Sequence, residues 1–306
     1  MKYSVVIPSY NSATTIVQCL QSVTQQHFEE PYEVIVVDSS VDATPEVVQQ
    51  HFPEVNLVHL DQRTDSYTAR NIGIQTAQGE IICFIDSDCI AQPDWLQRMA
   101  EAHNGNYAAV GGSVANGNPD NLIGWAGYFA EFREFFPFHP TQVMPSIPTC
   151  NISYKRRVFE QYGTFQDLHP DWITVKHPQQ GDLIFNLKLS THREEILFDP
   201  AILVAHINMI TIRRFVLHQY RLGRITSLVL KHFPFLQGAR IARSRVLAVL
   251  AGPFLPCVKF FNTFRVAALS KEYLRYFLFT SPLLFVGLLF WGVGFVRGAF
   301  LPQKSL

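Results

Sequence analysis

A chain of 306 residues is long enough to bury a sizeable core, as one large domain or two small ones. Its charged fraction of 16%, beside 48% hydrophobic residues, lies below the roughly 25% of an average soluble protein, so part of the chain belongs in a low-dielectric environment. Net charge is zero, and the five cysteines are scattered, odd in number and never spaced C-x-x-C. That pattern excludes a disulfide framework and a zinc site, and fits reduced thiols facing a cytosol.

The opening "MKYSVVIPSY" has too short an apolar run for a signal peptide and meets Pro8 at once, so it reads as a first strand. Two further runs rich in Val and Ile, "YEVIVVDSS" (Tyr32 to Ser40) and "GEIICFIDSD" (Gly79 to Asp88), have the near-continuous apolar character of strands buried on both faces. Val55 to Leu60 adds a short strand. Between them, Ser12 to Gln26 carries Ile16, Val17, Leu20 and Val23 at helical spacing, with Ser12 as the expected N-cap. Pro45 to His51 and Tyr67 to Ala77 read as helices too. Strands alternating with helices predict a mostly parallel sheet whose ligands sit beyond the carboxyl ends of the strands. That places "PSYN", Asp38 and "DSD" on one rim.

A stretch from "VGGSV" (Val110 to Val114) through the aromatic "WAGYFAEFREFFPFHP" to "QQGDLIFNLKL" reads as loops with one or two helices. The remainder is basic and apolar. From Pro200 to Lys271 there is no Asp or Glu, whereas Arg213, Arg214, Arg221, Arg224, Lys231, Arg240, Arg243, Arg245, Lys259, Arg265 and Lys271 all fall inside. Phe277 to Val296 holds 20 residues without a charge, enough to cross a ~30 Å hydrocarbon core as a helix. A buried core helix is the alternative. Val246 to Val258, interrupted by Pro253 and Pro256, suits an interfacial or re-entrant segment as well as a second crossing. The Lys/Arg crowding before Phe277 predicts that this side faces the cytoplasm. The adjoining apolar span makes lipid, not nucleic acid, the simpler partner for the basic segment.

Asp86 and Asp88 form a D-x-D pair on a loop after a strand. Like charges so placed repel and raise each other's pKa unless a cation holds them, and oxygen-only ligands of this kind suit Mg2+ or Mn2+. The competing reading is a solvated turn whose acids cap a helix at "SDCIAQPDW".

The ordered set "VVIPSYNSATTIVQCLQSV", "VIVVDSSVDAT", "ARNIGIQTAQGEIICFIDSD" and "CNISYKRRVFEQYGTF" resembles family 2 glycosyltransferases of the GT-A fold over residues 3 to 210. The resemblance implies a catalytic α/β domain over residues 1–210, and the composition beyond it predicts a basic, amphipathic and membrane-associated region over 211–306 with a transmembrane helix near 277–296. The resemblance also implies that Pro8, Tyr10 and Asn11 form the first nucleotide loop and that Asp38 bonds base or ribose. Arg70 would face the nucleotide, Asp86 would reach ribose and metal, and Asp88 would ligate the metal. The family's Glu-Asp pair falls on Gly181-Asp182, making Asp182 the candidate general base, with Asp171 and Asp167 as alternatives. His206, after "FDPAILVA", would complete the metal site or touch the diphosphate; its other reading is structural. Asn71 and Gly73 are expected to serve helix and packing.

"HQYRLGR" lacks the Q-x-x-R-W pattern of processive synthases in this superfamily. The expected activity is therefore metal-dependent, inverting transfer of a single sugar from a nucleotide-sugar donor to a lipid or lipid-linked acceptor at the cytoplasmic face of a membrane. Two alternatives remain: a sugar nucleotidyltransferase, disfavoured because "IPSYNSAT" has no Gly-rich phosphate loop, and an inactive nucleotide-binding scaffold.

Overall fold

A computed structural model describes residues 2–165 and 181–301. The chain divides into two compact units, Met1–Gly117 with Phe135–Ile207, and Asn118–Glu134 with Asn208–Leu306.

The first unit is built on one mixed nine-stranded sheet. Its N-terminal half is β1 (Tyr3–Ser9), β2 (Tyr32–Asp38), β3 (Asn56–His59) and β4 (Ile81–Ile85), all parallel in the order β3-β2-β1-β4. Every side chain of β1 and β4 is buried, as runs of Val and Ile require of strands covered on both faces. Helices α1 (Ile16–Thr24), α2 (Thr44–His51) and α3 (Ser66–Thr76) make the crossovers. Helix α3 is capped by Asp65, which accepts from the backbone N–H groups of Tyr67 and Thr68 at 3.0 Å each. Asn71 and Gly73 serve packing: the Asn71 side chain accepts from Phe165 N–H at 3.2 Å, and a Cβ at Gly73 would stand 2.2 Å from Val6.

One local expectation fails. Helix α1 begins at Ile16, not after Ser12, because the Ser12 hydroxyl is drawn instead to the Ser87 hydroxyl, 2.8 Å away.

The stretch read as irregular completes the sheet. Strands β5 (Cys89–Ala91), β6 (Ala109–Asn116), β7 (Gln142–Val143), β8 (Asn151–Lys155) and β9 (Ile196–His206) extend the order as β4-β8-β6-β9-β5, with β7 on β9. Beyond β4 the pairings are antiparallel except β6 with β9. The register shifts between Gly112 and Ser113. A Cβ at Gly112 would lie 1.9 Å from the Ile202 carbonyl oxygen, so only glycine fits there. Asn151 ties three strands together, donating to the Ser113 and Ile202 carbonyls at 2.8 Å while accepting from the Trp95 indole at 2.8 Å. Trp95 opens α4 (Trp95–Ala102).

Beneath the sheet, Phe84, Tyr154, Phe159, Phe165 and Phe185 form an aromatic cluster, with Phe159 and Phe185 stacked at 5.4 Å between ring centres. Phe159 lies on α6 (Arg156–Tyr162) and Phe185 on α7 (Gly181–Thr191). Burying Phe185 pins α7 by its first two turns.

The second unit is helical. It contains α5 (Leu122–Glu131), α8 (Ile212–His232), α9 (Ala239–Arg243), α10 (Arg245–Ala251), α11 (Leu255–Ala267) and α12 (Lys271–Phe300). Helix α12 is long and apolar enough to cross a membrane, and α10 with α11 forms a second apolar run bent by 57°. The aromatic Trp125 of α5 stacks on Tyr276 of α12 at 4.0 Å.

Candidate active site

Parallel strands β1, β2 and β4 end at Ser9, Asp38 and Ile85, so their following loops share one rim. The first two loops are laced together. Asn11, in the left-handed region at φ 52°, accepts from Val41 N–H through its side-chain oxygen at 3.0 Å, and its own N–H donates to the Ser40 hydroxyl at 2.7 Å. Asp38 is fully buried; it accepts from the Ser40 hydroxyl at 2.5 Å and from Ser40 N–H at 3.0 Å, and pairs with His59 Nδ1 at 2.8 Å. Pro8 lies within β1, and Tyr10 is partly exposed with the Arg63 guanidinium 4.4 Å from its ring centre. Arg63 and His59 were not singled out by the sequence, because neither falls inside a recognisable motif.

Asp86 and Asp88 follow β4 in a turn closed by Cys89 N–H donating to the Asp86 carbonyl at 2.9 Å. They do not cap α4, whose N-cap is Asp94. The turn is joined to β9 by Ile207 N–H donating to the Asp88 carbonyl at 2.8 Å. The Asp86 carboxylate accepts from Arg70, which is 3% exposed and whose Nε finds no partner among the described residues. Burial pulls down the pKa of this guanidinium, but the neighbouring Asp86, Tyr67 and Asp182 outweigh it and the net direction is upward.

Asp88, Cys89 and His206 gather their ligand atoms within 4.8 Å of one another, and Asp86 is not part of that cluster. The Cys89 thiol is buried and its pKa is pushed well above the ordinary value, chiefly by desolvation. Beside it the Asp88 carboxylate and the His206 imidazole stand 3.7 Å apart. This oxygen and nitrogen donor set fits Mn2+ and accepts Mg2+ less readily.

Asp182 sits in the first turn of α7, where the helix dipole favours a negative charge. Its carboxylate accepts from Tyr67 hydroxyl at 3.1 Å, Leu183 N–H at 2.9 Å and Thr149 N–H at 3.3 Å. Desolvation raises its pKa, and these donors together with Arg70 oppose the rise. Tyr67 is the functional neighbour that the sequence reading missed. It precedes the "ARN" motif by two residues and packs its ring 5.2 Å from the Arg70 guanidinium. Its own pKa is driven well up by burial and by the charge of Asp182, so it acts as a donor. The expected Glu of the pair is replaced by Gly181 for a visible reason: a Cβ there would lie 3.1 Å from three Tyr67 ring atoms. Asp167 and Asp171, the other candidate bases, lie outside the described residues.

Residues 4–163 match the family described as Glycosyl transferase family 2, just over half the chain. The chain belongs to glycosyl transferase family 2. Among curated relatives it is similar to the Glycosyltransferase AglE of Haloferax volcanii, 33% identical over 172 residues that make up 55% of each chain. It is also similar to the Succinoglycan biosynthesis protein ExoO of Rhizobium meliloti, 40% identical over 116 residues, 38% of this chain and 32% of that one. The chain thus matches about half or less of these relatives' length. Two solved structures share the fold. The mannosyltransferase PcManGT from Pyrobaculum calidifontis, in complex with GDP-Man and Mn2+, superposes with a TM-score of 0.56 at 19% identity, covering 93% of this chain and 85% of that one. Residues 1–349 of S. aureus TarS with UDP-GlcNAc give 0.53 at 18% identity, covering 97% and 92%. The family 2 sheet is the GT-A architecture the motifs implied.

Proposed function

We propose that this family 2 chain is a metal-assisted, inverting glycosyltransferase that moves one sugar from a nucleoside diphosphate donor to a lipid-type acceptor. The observation that carries it is the N-terminal half of α3, from which Arg70 holds Asp86 of the D-x-D loop and Tyr67 holds Asp182. One helical turn thereby brings together the anchor of the donor side and the candidate base.

In this reading Asp88 and His206 hold Mn2+ or Mg2+, with Asp86 facing the ribose and the ion. The ion, when bound, neutralises the departing nucleoside diphosphate as a Lewis acid. The solved neighbours with GDP-Man and UDP-GlcNAc support a nucleotide-sugar donor lying across the rim formed by Pro8, Tyr10, Asn11 and Asp38. Asp182 accepts the proton of the acceptor hydroxyl as it attacks the anomeric carbon, which inverts the centre. Its raised pKa improves it as a base, and Tyr67 and Thr149 hold the carboxylate in one orientation. Transfer of a single sugar is supported by the sequence "HQYRLGR", and a membrane-associated acceptor by the apolar α12 beside a segment free of acids.

The test is nucleoside diphosphate release from a panel of nucleotide sugars with Mn2+ or Mg2+, with and without membrane lipid extract, alongside Asp88→Ala and Asp182→Ala. Metal-dependent release from one donor, raised by lipid and lost in both variants, is the expected result. Donor binding without release from any sugar nucleotide would instead establish a non-catalytic scaffold.

A further inference from the structure

Helices α8 and α12 run side by side in the same direction. Phe215 meets Gly287, the Tyr220 carbonyl meets Gly294, and Ser227 meets Gly298; a Cβ at Gly294 would stand 2.0 Å from that carbonyl oxygen. At 3.6 residues per turn, these small residues occupy one face of α12. The roughly opposite face is bare and apolar, exposing Phe279, Val286, Leu289, Phe290, Val293 and Phe300. Helix α8 leaves Arg213, Arg214, Arg221 and Arg224 exposed, Arg224 with its backbone against Gly294 and Gly298 of α12.

Polar groups therefore stand beside the middle of α12 along its covered side. Glu131 accepts from Gln219 at 3.0 Å and pairs with His218 at 3.1 Å, and the Lys259 ammonium lies 4.4 Å from the Trp291 ring centre. A helix crossing a bilayer would carry Arg221, Arg224 and these groups into hydrocarbon, where ionised side chains are costly. Lying flat, the same helix buries only its bare face.

The apolar face continues onto the neighbouring helices. Helix α10 exposes Val246, Leu247, Val249 and Leu250, and the α10–α11 corner exposes Phe254, Val258 and Phe261. Between that corner and α12 runs a groove of about 660 Å³ lined by Val249, Pro253, Leu289, Val293, Val296 and Phe300. Cations edge this face: Arg297 lines the groove, Arg245 approaches the Phe300 ring at 5.7 Å, and Arg275 approaches the Phe279 ring at 5.9 Å. Guanidinium groups at the margin of an apolar surface match phosphates at the margin of acyl chains.

We propose that the second unit is a monotopic seat that lies in one leaflet of an anionic bilayer through α10, α11 and α12, and that α12 does not cross it. The inference rests on the membrane-associated reading above and specifies its geometry. Headgroup phosphates engage Arg245, Arg275 and Arg297, acyl chains fill the groove, and the exposed arginines of α8 stay in water.

The full chain carries its own depth probe, since Cys257 is exposed beside Phe254 and Val258 while the other four cysteines are buried. A polarity-sensitive fluorophore on Cys257 shifts to the blue with phosphatidylglycerol vesicles and shifts less with phosphatidylcholine. Arg245→Gln, Arg275→Gln and Arg297→Gln together weaken phosphatidylglycerol binding about a hundredfold, at about fivefold per arginine, and leave metal-dependent donor hydrolysis unchanged. Topology is read in a Cys257→Ser background in sealed membrane vesicles of one orientation, with Ala268→Cys before α12 and Ser305→Cys after it. An impermeant maleimide that modifies both positions from the same side supports the seat. Modification from opposite sides overturns it while keeping the membrane reading, and failure to bind any vesicle overturns both.

Discussion

The Tyr67 hydroxyl donates to the Asp182 carboxylate across 3.1 Å, joining the first turn of α3 to the first turn of α7. Because the donor favours the ionised carboxylate, it holds down a pKa that burial raises. Tyr67→Phe removes that bond and leaves the ring. The acidic limb of the kcat/KM profile for transfer is expected to move upward by about one pH unit, the worth of a hydrogen bond to a charged group at ~1.5 kcal/mol. A purely structural tyrosine would lower activity without moving the limb.

Gly181 and Tyr67 occupy one space and should be energetically coupled. Gly181→Ala sets a Cβ 3.1 Å from the ring and forces it aside, so transfer falls about tenfold. In Tyr67→Ala the space is open, and adding Gly181→Ala there should cost almost nothing further. Additive losses across this double-mutant cycle would show that the two residues act independently.

In the proposed reading Asp88 and His206 hold the ion more directly than Asp86 does, so the three residues should respond differently to substitution. His206→Ala is expected to weaken Mn2+ binding, followed by its electron paramagnetic resonance signal, by about tenfold or more. Asp88→Asn should abolish binding. Arg70→Ala should act differently: it releases the Asp86 carboxylate and lowers stability through loss of a buried pair, while Mn2+ at Asp88 and His206 is retained.

His103 gives the fold an acid limit. Burial, with Lys155 nearby, lowers its pKa from 6.5 to about 3 while Nε2 meets the Ser153 hydroxyl at 2.8 Å. The unfolded chain therefore binds a proton that the folded chain refuses, and stability falls as pH drops through the window from 6.5 to about 3. Above pH 6.5 the contribution is complete. Chemical denaturation of His103→Gln should show a flatter slope across that window, close to 1.4 kcal/mol less per pH unit at its steepest.

The parallel half of the sheet was readable because β1, β2 and β4 are continuous Val and Ile runs whose burial shows in composition. Strand β6 was not, since "AVGGSVAN" has two glycines where branched side chains signal a strand, and those glycines answer to Ile202 and Asn151 carbonyls far along the chain. The same limit applies to the site. Asp86, Asp88 and Asp182 stand in motifs, whereas Tyr67 acquires its part only when the α7 start is laid against α3. Ser12 misled for a similar reason: its hydroxyl had a better partner in Ser87, 75 residues away.

Tyr67 and Arg70 are three residues apart on α3, a rise of about 4.5 Å. In the proposed reading the helix is thus a fixed gauge between the place where a sugar is released and the place where it is received. Errors in its seating are shared by both ends: loosening the Asp65 cap should slow donor hydrolysis and acceptor transfer in equal proportion, leaving their ratio untouched.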